Sequence, residues 1–333
     1  MSGGLRVTIL LAILLCTGLS LVLALEFKRT VGQPSYGATF SPDYARFLGL
    51  DPRQVFPIML EELPLRHVRI PIHWSDIQPE EDAYNFTELD WIMTEAAQHN
   101  VKVVLAVGNK VPRWPECHTP DWAFDLDQTA YEQALLAYID TVVLRYRTHS
   151  ALERWQVENE ALFVFGECPA RDYALVKREI AHVKALDSQH LVQLTVSGEQ
   201  QLWASEALEA DVIGTSMYRK VALPNGWQVT FPIPPRWYSL QAISILPFVD
   251  KVVISELQAE PWLTKDYREY TPAEAANLFT PQHLNAYLGY AGSTGLNEVS
   301  LWGIEWWYYL KQNGYPELWQ AGQELLTAES RSR

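Results

Sequence analysis

Eight short runs of β-branched and apolar residues alternate with longer amphipathic stretches along nearly the whole chain, and this alternation limits the fold more than any other feature. Strands are expected at Ser35–Phe40, Arg66–Ile72, Val101–Val107, Leu152–Val157, Leu191–Val196, Asp211–Ser216, Lys251–Ser255 and Glu298–Trp302. Helices are expected at Pro52–Glu62, Glu88–His99, Thr129–Arg147, Arg171–Leu186, Gln201–Leu208, Pro235–Ile245, Pro272–Tyr290 and Pro316–Ala328. The third helix is the clearest, with Ala134, Leu135, Tyr138, Val142 and Arg145 at helical spacing and a basic last turn that suits the helix dipole. No tandem repeat, Gly/Ser/Pro-rich linker or charge block divides the chain. Eight strand–helix units without a boundary predict a single (β/α)8 TIM barrel spanning 32–333.

Residues 1–31 read differently. Val7 to Leu25 is a run of 19 residues without a charge, long enough to span a bilayer at a 1.5 Å rise per residue. Arg6 flanks it on one side, Lys28 and Arg29 on the other, so charge hardly orients it. Leu23-Ala24-Leu25 is a poor cleavage site, which favours an uncleaved transmembrane signal-anchor over a cleaved signal peptide. Either way the barrel is expected outside the cytoplasm: membrane-anchored in the first case, secreted in the second.

Composition removes several function classes. With 26 Lys and Arg against 40 Asp and Glu, the net charge of −14 argues against nucleic acid as a partner. There is no GxGxxG after a strand, no phosphate loop, no His-Glu-x-x-His and no Gly-x-Ser-x-Gly. The eight His are scattered, and no Cys pair has zinc spacing, so no metal or cofactor is expected. Tryptophan is abundant, with 13 residues, and eight of them follow a strand or end one: Trp74, Trp114, Trp122, Trp227, Trp262, Trp302, Trp306 and Trp307. Loops after barrel strands build the mouth, so these rings suggest walls for stacking on sugar faces.

Carboxylates are the remaining chemistry. Glu160 and Glu256 close strands four and seven, which otherwise read apolar, and a charge in such a place is usually paired or functional. Strict alternation would turn Val252, Ile254 and Glu256 toward the axis. Glu158 competes with Glu160, since aiming Asn159 and Glu160 together requires a bend, and Glu260 competes with Glu256. Two carboxylates across a barrel are what a retaining glycosidase uses, one as acid/base and one as nucleophile.

Asn159-Glu160 at the end of strand four and a Glu closing strand seven resemble the retaining (β/α)8 glycoside hydrolases of clan A, which include cellulases, β-mannanases and β-galactosidases. The stretch RIPIHWSDIQPEEDAYNF from Arg69 to Phe86 and Leu301-Trp302-Gly303 on strand eight resemble them too. The resemblance implies Glu160 as acid/base, Glu256 as nucleophile, and Asn159 on the sugar 2-hydroxyl. It also implies Arg69 as electrostatic support, Tyr218 as a hydrogen-bond donor to Glu256, and Trp302 beneath the sugar. Two positions depart from the pattern: Ala161 stands where Pro usually follows Asn-Glu, and Ser216 where His often precedes the strand-six Tyr. His118 and Trp114 are further candidates for substrate contact. The expected substrate is an oligosaccharide, polysaccharide or glycoconjugate. A transglycosylase of the same fold, or a non-catalytic carbohydrate-binding barrel, remains open. Cys117 and Cys168 follow neighbouring strands and are candidates for a disulfide across a 51-residue separation.

Overall fold

A computed structural model describes residues 34–168, 173–223 and 227–331; the apolar run from Val7 to Leu25 lies outside them. Among the described residues no helix is long and apolar enough to cross a membrane. Eight parallel strands close into one barrel: β1 (Ser35–Thr39), β2 (His67–Pro71), β3 (Lys102–Val107), β4 (Leu152–Val157), β5 (Leu191–Val196), β6 (Val212–Met217), β9 (Lys251–Gln258) and β10 (Glu298–Trp302). Closure is made by β1, which pairs with β10 on one side and β2 on the other. Between β6 and β9 the short strands β7 (Lys220–Ala222) and β8 (Gln228–Thr230) form an antiparallel hairpin at the mouth.

The outward faces of the strands carry the hydrophobic core. Val68 and Ile70 of β2, Val103 and Leu105 of β3, and Val252 and Ile254 of β9 are buried against the surrounding helices. The inward face is polar. At its lower end Arg154 pairs with Glu298, which Lys251 also reaches. Above it, Gln156 Oε1 accepts from Arg69 Nε (2.7 Å) and from Gln193 Nε2 (3.1 Å). Such a network is tolerable away from water because each charge meets a partner. Burial pushes the Glu298 carboxyl up, but Arg154, His67 and Lys251 outweigh it and hold it near 2.

Besides the unanticipated short helices Pro42–Phe47 and Trp74–Ile77 and the β7–β8 hairpin, four differences from the sequence reading have a local reason. The stretch expected as a helix over 201–208 forms only the 3-10 turn Glu206–Leu208. Gln201 instead accepts from Ser197 N and donates to Glu206, the kind of side-chain bonding that competes with a helix. The helix expected over 272–290 is two, Pro272–Leu278 and Pro281–Gly292, because Pro281 lacks an N–H and forces the chain ahead of it to extend. A helix at Ile304–Gln312 was not anticipated; it buries every residue from Ile304 to Tyr308 and also Leu310, so its first turns show no polar face. Strand β9 runs to Gln258 rather than ending at Ser255, and it contains a bulge.

That bulge corrects the facing of β9. Ile254 and Val252 point outward, while Lys251 reaches Glu298 on the axis. Thr215 pairs with Ile254, yet the next residue, Ser216, pairs with Glu256, leaving Ser255 as the extra residue. Glu256 therefore reaches the mouth by a register shift, and strict alternation would have turned it away.

Candidate active site

The C-terminal mouth of the barrel holds a cavity of about 790 Å³ into which Asn159, Glu160, Glu256, Tyr218, Trp302 and His118 all face. Arg69 lies directly beneath, 1% exposed. Its guanidinium donates to Glu256 Oε1 (2.7 Å), Gln156 Oε1 (2.7 Å) and Asn159 Oδ1 (2.7 Å). Tyr218 donates its hydroxyl to the other oxygen of Glu256 at 2.9 Å. Both oxygens of that carboxylate thus carry a donor.

Glu160 sits in the opposite electrostatic setting. Burial raises its pKa, the charge of Glu256 raises it further, and it stands near 8 despite a 2.8 Å hydrogen bond from Ser216 Oγ. Ser216, which replaces the histidine of the clan pattern, pairs in register with Glu256 while donating to Glu160. One residue thus touches both strand tips, by its backbone on one side and its hydroxyl on the other. The bend required to aim Asn159 and Glu160 together is present: Glu158 and Glu160 both have positive φ, 57° and 42°. Glu158 is directed away from the cavity, and its two oxygens accept the backbone N–H groups of Asn109 (2.8 Å) and Lys110 (2.7 Å). Glu260 lines the cavity but is bound to Arg113 at 2.5 Å.

Four further carboxylates line the same cavity, Asp43, Asp76, Glu116 and Glu199, and none was singled out in the sequence. Glu116 Oε2 accepts from Asn159 Nδ2 at 3.0 Å, and burial followed by the field of Glu256 raises its pKa to about 7, against that hydrogen bond. Glu199 accepts from Tyr218 N and from the Tyr238 hydroxyl, and burial raises it to about 7. Glu199 follows the end of β5, so the strand-end signal used for Glu160 and Glu256 applies to it as well. Glu116 lies nine residues past the end of β3 in an irregular loop, where no pattern points to it.

Glu116 is held by its loop. Cys117 and Cys168 form a disulfide that ties the β3 loop to the β4 loop. Gly166, at φ 87°, passes so close that an added Cβ would meet the Glu116 Cβ at 2.6 Å. Arg113 and Glu116 themselves have positive φ, 90° and 77°. Backbone strain of this kind, about 1–3 kcal/mol per residue, collects where surrounding structure holds a functional group in place.

The aromatic expectation holds only in part. Trp114, Trp262 and Trp302 line the cavity, but Trp74, Trp306 and Trp307 are fully buried and serve as core. Trp302 is covered on its ring by the Arg113 guanidinium, 4.1 Å from the centroid, and Arg113 also lies over Tyr44. His118 stacks on His73 at 3.6 Å. Burial lowers the His73 pKa, but its hydrogen bonds to the Asp43 and Asp76 carboxylates outweigh it and bring it to about 9. Burial and then the His73 charge push His118 down to about 3. Asp43, His73 and Asp76 are also the described residues grouped closely enough to hold a cation, with ligand atoms within 4.8 Å of one another.

This geometry agrees with comparisons to known proteins. Residues 57–175, about a third of the chain, match glycoside hydrolase family 42, described as beta-galactosidase. The matched segment carries Arg69, Glu116, Asn159 and Glu160. The chain resembles the barrel glycosidases. A beta-galactosidase LacZ of Heyndrickxia coagulans is 26% identical over 33% of the chain and 19% of its own length. A probable mannan endo-1,4-beta-mannosidase A of Aspergillus niger is 28% identical over 31% of the chain and 29% of its own length. The chain thus spans less than a third of either curated relative. In fold the likeness runs further: the GH5_18 structure from Bifidobacterium longum superposes with a TM-score of 0.62 at 12% identity, covering 91% of this chain and 80% of that one.

Proposed function

We propose that the chain is a glycoside hydrolase that cleaves β-glycosidic bonds with retention. The observation that carries this reading is the split between two carboxyls at strand tips across one cavity. Glu160 is held protonated near neutral pH, while Glu256 is doubly hydrogen-bonded by Arg69 and Tyr218. Two carboxyls so placed serve a retaining glycosidase as acid/base and nucleophile. In this mechanism Glu256 attacks the anomeric carbon while Glu160 gives its proton to the leaving oxygen. A glycosyl-enzyme ester forms on Glu256. Glu160, now a carboxylate, takes a proton from water, which displaces Glu256 and returns the starting configuration. Asn159, fixed by Arg69 and Glu116, presents its amide to the 2-hydroxyl.

The test separates the two roles. Glu256→Ala should abolish turnover on every glycoside. Glu160→Ala should fail on ordinary glycosides yet retain its first step on an aryl glycoside with a good leaving group, which needs little protonation. Azide should then restore turnover and yield a glycosyl azide of unchanged anomeric configuration. Inversion in the wild-type product, followed by proton NMR, would refute the mechanism.

We also place the barrel outside the cytoplasm, tethered by the apolar run from Val7 to Leu25. The Cys117–Cys168 disulfide supports this placement, since such bonds persist in oxidising compartments. Membrane fractionation of the full chain against one beginning at residue 32 tests it: only the full chain should sediment with membranes.

A further inference from the structure

The cavity has two halves of different chemistry. Around Glu160 and Glu256 it is polar. Beyond them an unbroken line of aromatic contacts runs outward from the nucleophile's own partner. Tyr218, bonded to Glu256, meets Trp262 at 5.5 Å; Trp262 meets Phe165 at 6.2 Å; Phe165 meets Trp114 at 6.1 Å, and Trp114 is 63% exposed. Val221 and Leu223 of the β7–β8 hairpin, Phe231 just after it and Leu263 of the loop after β9 line the same cavity as an apolar bank. Several polar groups beside this bank are committed to the protein itself. Gln258 accepts from Arg219 N and Lys220 N and donates to Lys220 O, and Glu199 is bound by Tyr218 and Tyr238.

Sugar subsites need flat faces for the ring and hydrogen-bond partners for the hydroxyls. Valine and leucine supply neither, and a hydroxyl set against them loses its water without replacement. A hydrocarbon chain has the opposite requirement, and burial against Val221, Leu223 and Leu263 satisfies it. From this we infer that the outer half of the cavity receives an apolar aglycone, so that the substrate is an amphiphile: a sugar joined through its anomeric oxygen to a long hydrocarbon chain. The inference rests on the glycosidase reading for the bond cleaved, and on the apolar groove for the leaving group. The groove is continuous with the carboxylate pair, which sets the scissile oxygen between the two halves.

The test uses methyl, hexyl and octyl β-D-galactosides, β-D-glucosides and β-D-mannosides below their micellar concentrations, beside unmodified oligosaccharides of the same sugars. For the sugar that is turned over, kcat/KM should rise with chain length, by up to about fourfold for each methylene seated in the groove. Leu223→Asp and Leu263→Asp should each reduce the octyl-to-methyl ratio at least tenfold. Leu223 is 42% exposed, so that variant folds even if the other does not. A flat chain-length profile with oligosaccharides preferred, or an unchanged ratio in Leu223→Asp, overturns the inference. A second arm is independent of turnover: binding to Glu256→Gln, read by tryptophan fluorescence, should be at least tenfold tighter for octyl than for methyl glycoside. Equal binding overturns the groove, whereas octyl-selective binding with no turnover by wild type overturns the glycosidase reading alone.

Discussion

Glu160 shows how a single carboxyl is given its task by what surrounds it. Its pKa of about 8 comes from burial and the charge of Glu256, with Glu116 adding to the rise. As acid it must carry its proton, so kcat/KM should fall as pH rises through about 8. Glu116→Gln removes one charge that raises Glu160 and keeps an acceptor for Asn159 Nδ2. The alkaline limb of the pH–rate profile should therefore move to lower pH while kcat at pH 6 stays within a few-fold of wild type. Glu116→Ala removes the acceptor as well, and kcat should fall about tenfold or more, in line with losing a hydrogen bond to an ionisable group. A Gln variant as impaired as the Ala variant would refute the orienting role of Glu116.

At the scale of elements, site geometry depends on departures from regular structure. Four of the five non-glycine residues with positive φ among the described residues are Arg113, Glu116, Glu158 and Glu160, all at the ends of β3 and β4 or in the β3 loop. The disulfide joins those two loops beside Glu116. Closing a 51-residue separation should stabilise by roughly 2–4 kcal/mol. Replacing both Cys117 and Cys168 by Ser should lower the denaturation midpoint accordingly, and because Glu116 is held by that loop, kcat should drop more than KM rises. Thiol titration of the denatured, unreduced barrel should find neither of these two sulfurs free; finding both free would refute the bridge.

Across the whole molecule, the barrel axis trades apolar packing for a charged network. Glu298, 5% exposed, is shared by Arg154 and Lys251. Glu298→Gln keeps the volume but leaves two buried or half-buried cations short of a partner, and unfolding free energy should fall by about 3–5 kcal/mol near pH 7. The folded pKa lies below the ordinary value, so this stability is present above the unfolded pKa and is lost as pH falls through about 2. Urea titrations at several pH values should show the gap between wild type and variant closing between about pH 4.5 and 2. A constant gap would show that the loss is one of packing rather than charge.

The eight strands were legible from the sequence because packing against the helices imposes apolar, often β-branched residues on their outward faces, and β4, β5 and β10 match their expected bounds. Glu160 and Glu256 were legible for the same reason: a carboxylate stands out at the end of an apolar strand. The helix at Ile304–Gln312 was not legible, since Ile304 to Tyr308 are buried in succession and its exposed polar residues come only in the last turn. Nor was the facing of Glu256, because one extra residue at Ser255 reverses what alternation implies, and nothing in Val252-Val253-Ile254-Ser255 marks the bulge. Glu116 acquires a role only through contact with Asn159, 43 residues away, and the fate of each tryptophan follows from which neighbours cover it. The sequence by itself determined the barrel and the two strand-end carboxylates, because both are properties of short local runs. The tertiary structure decided which face each carboxyl takes, which one keeps its proton, and which rings line the cavity, because those depend on groups brought together from distant strands.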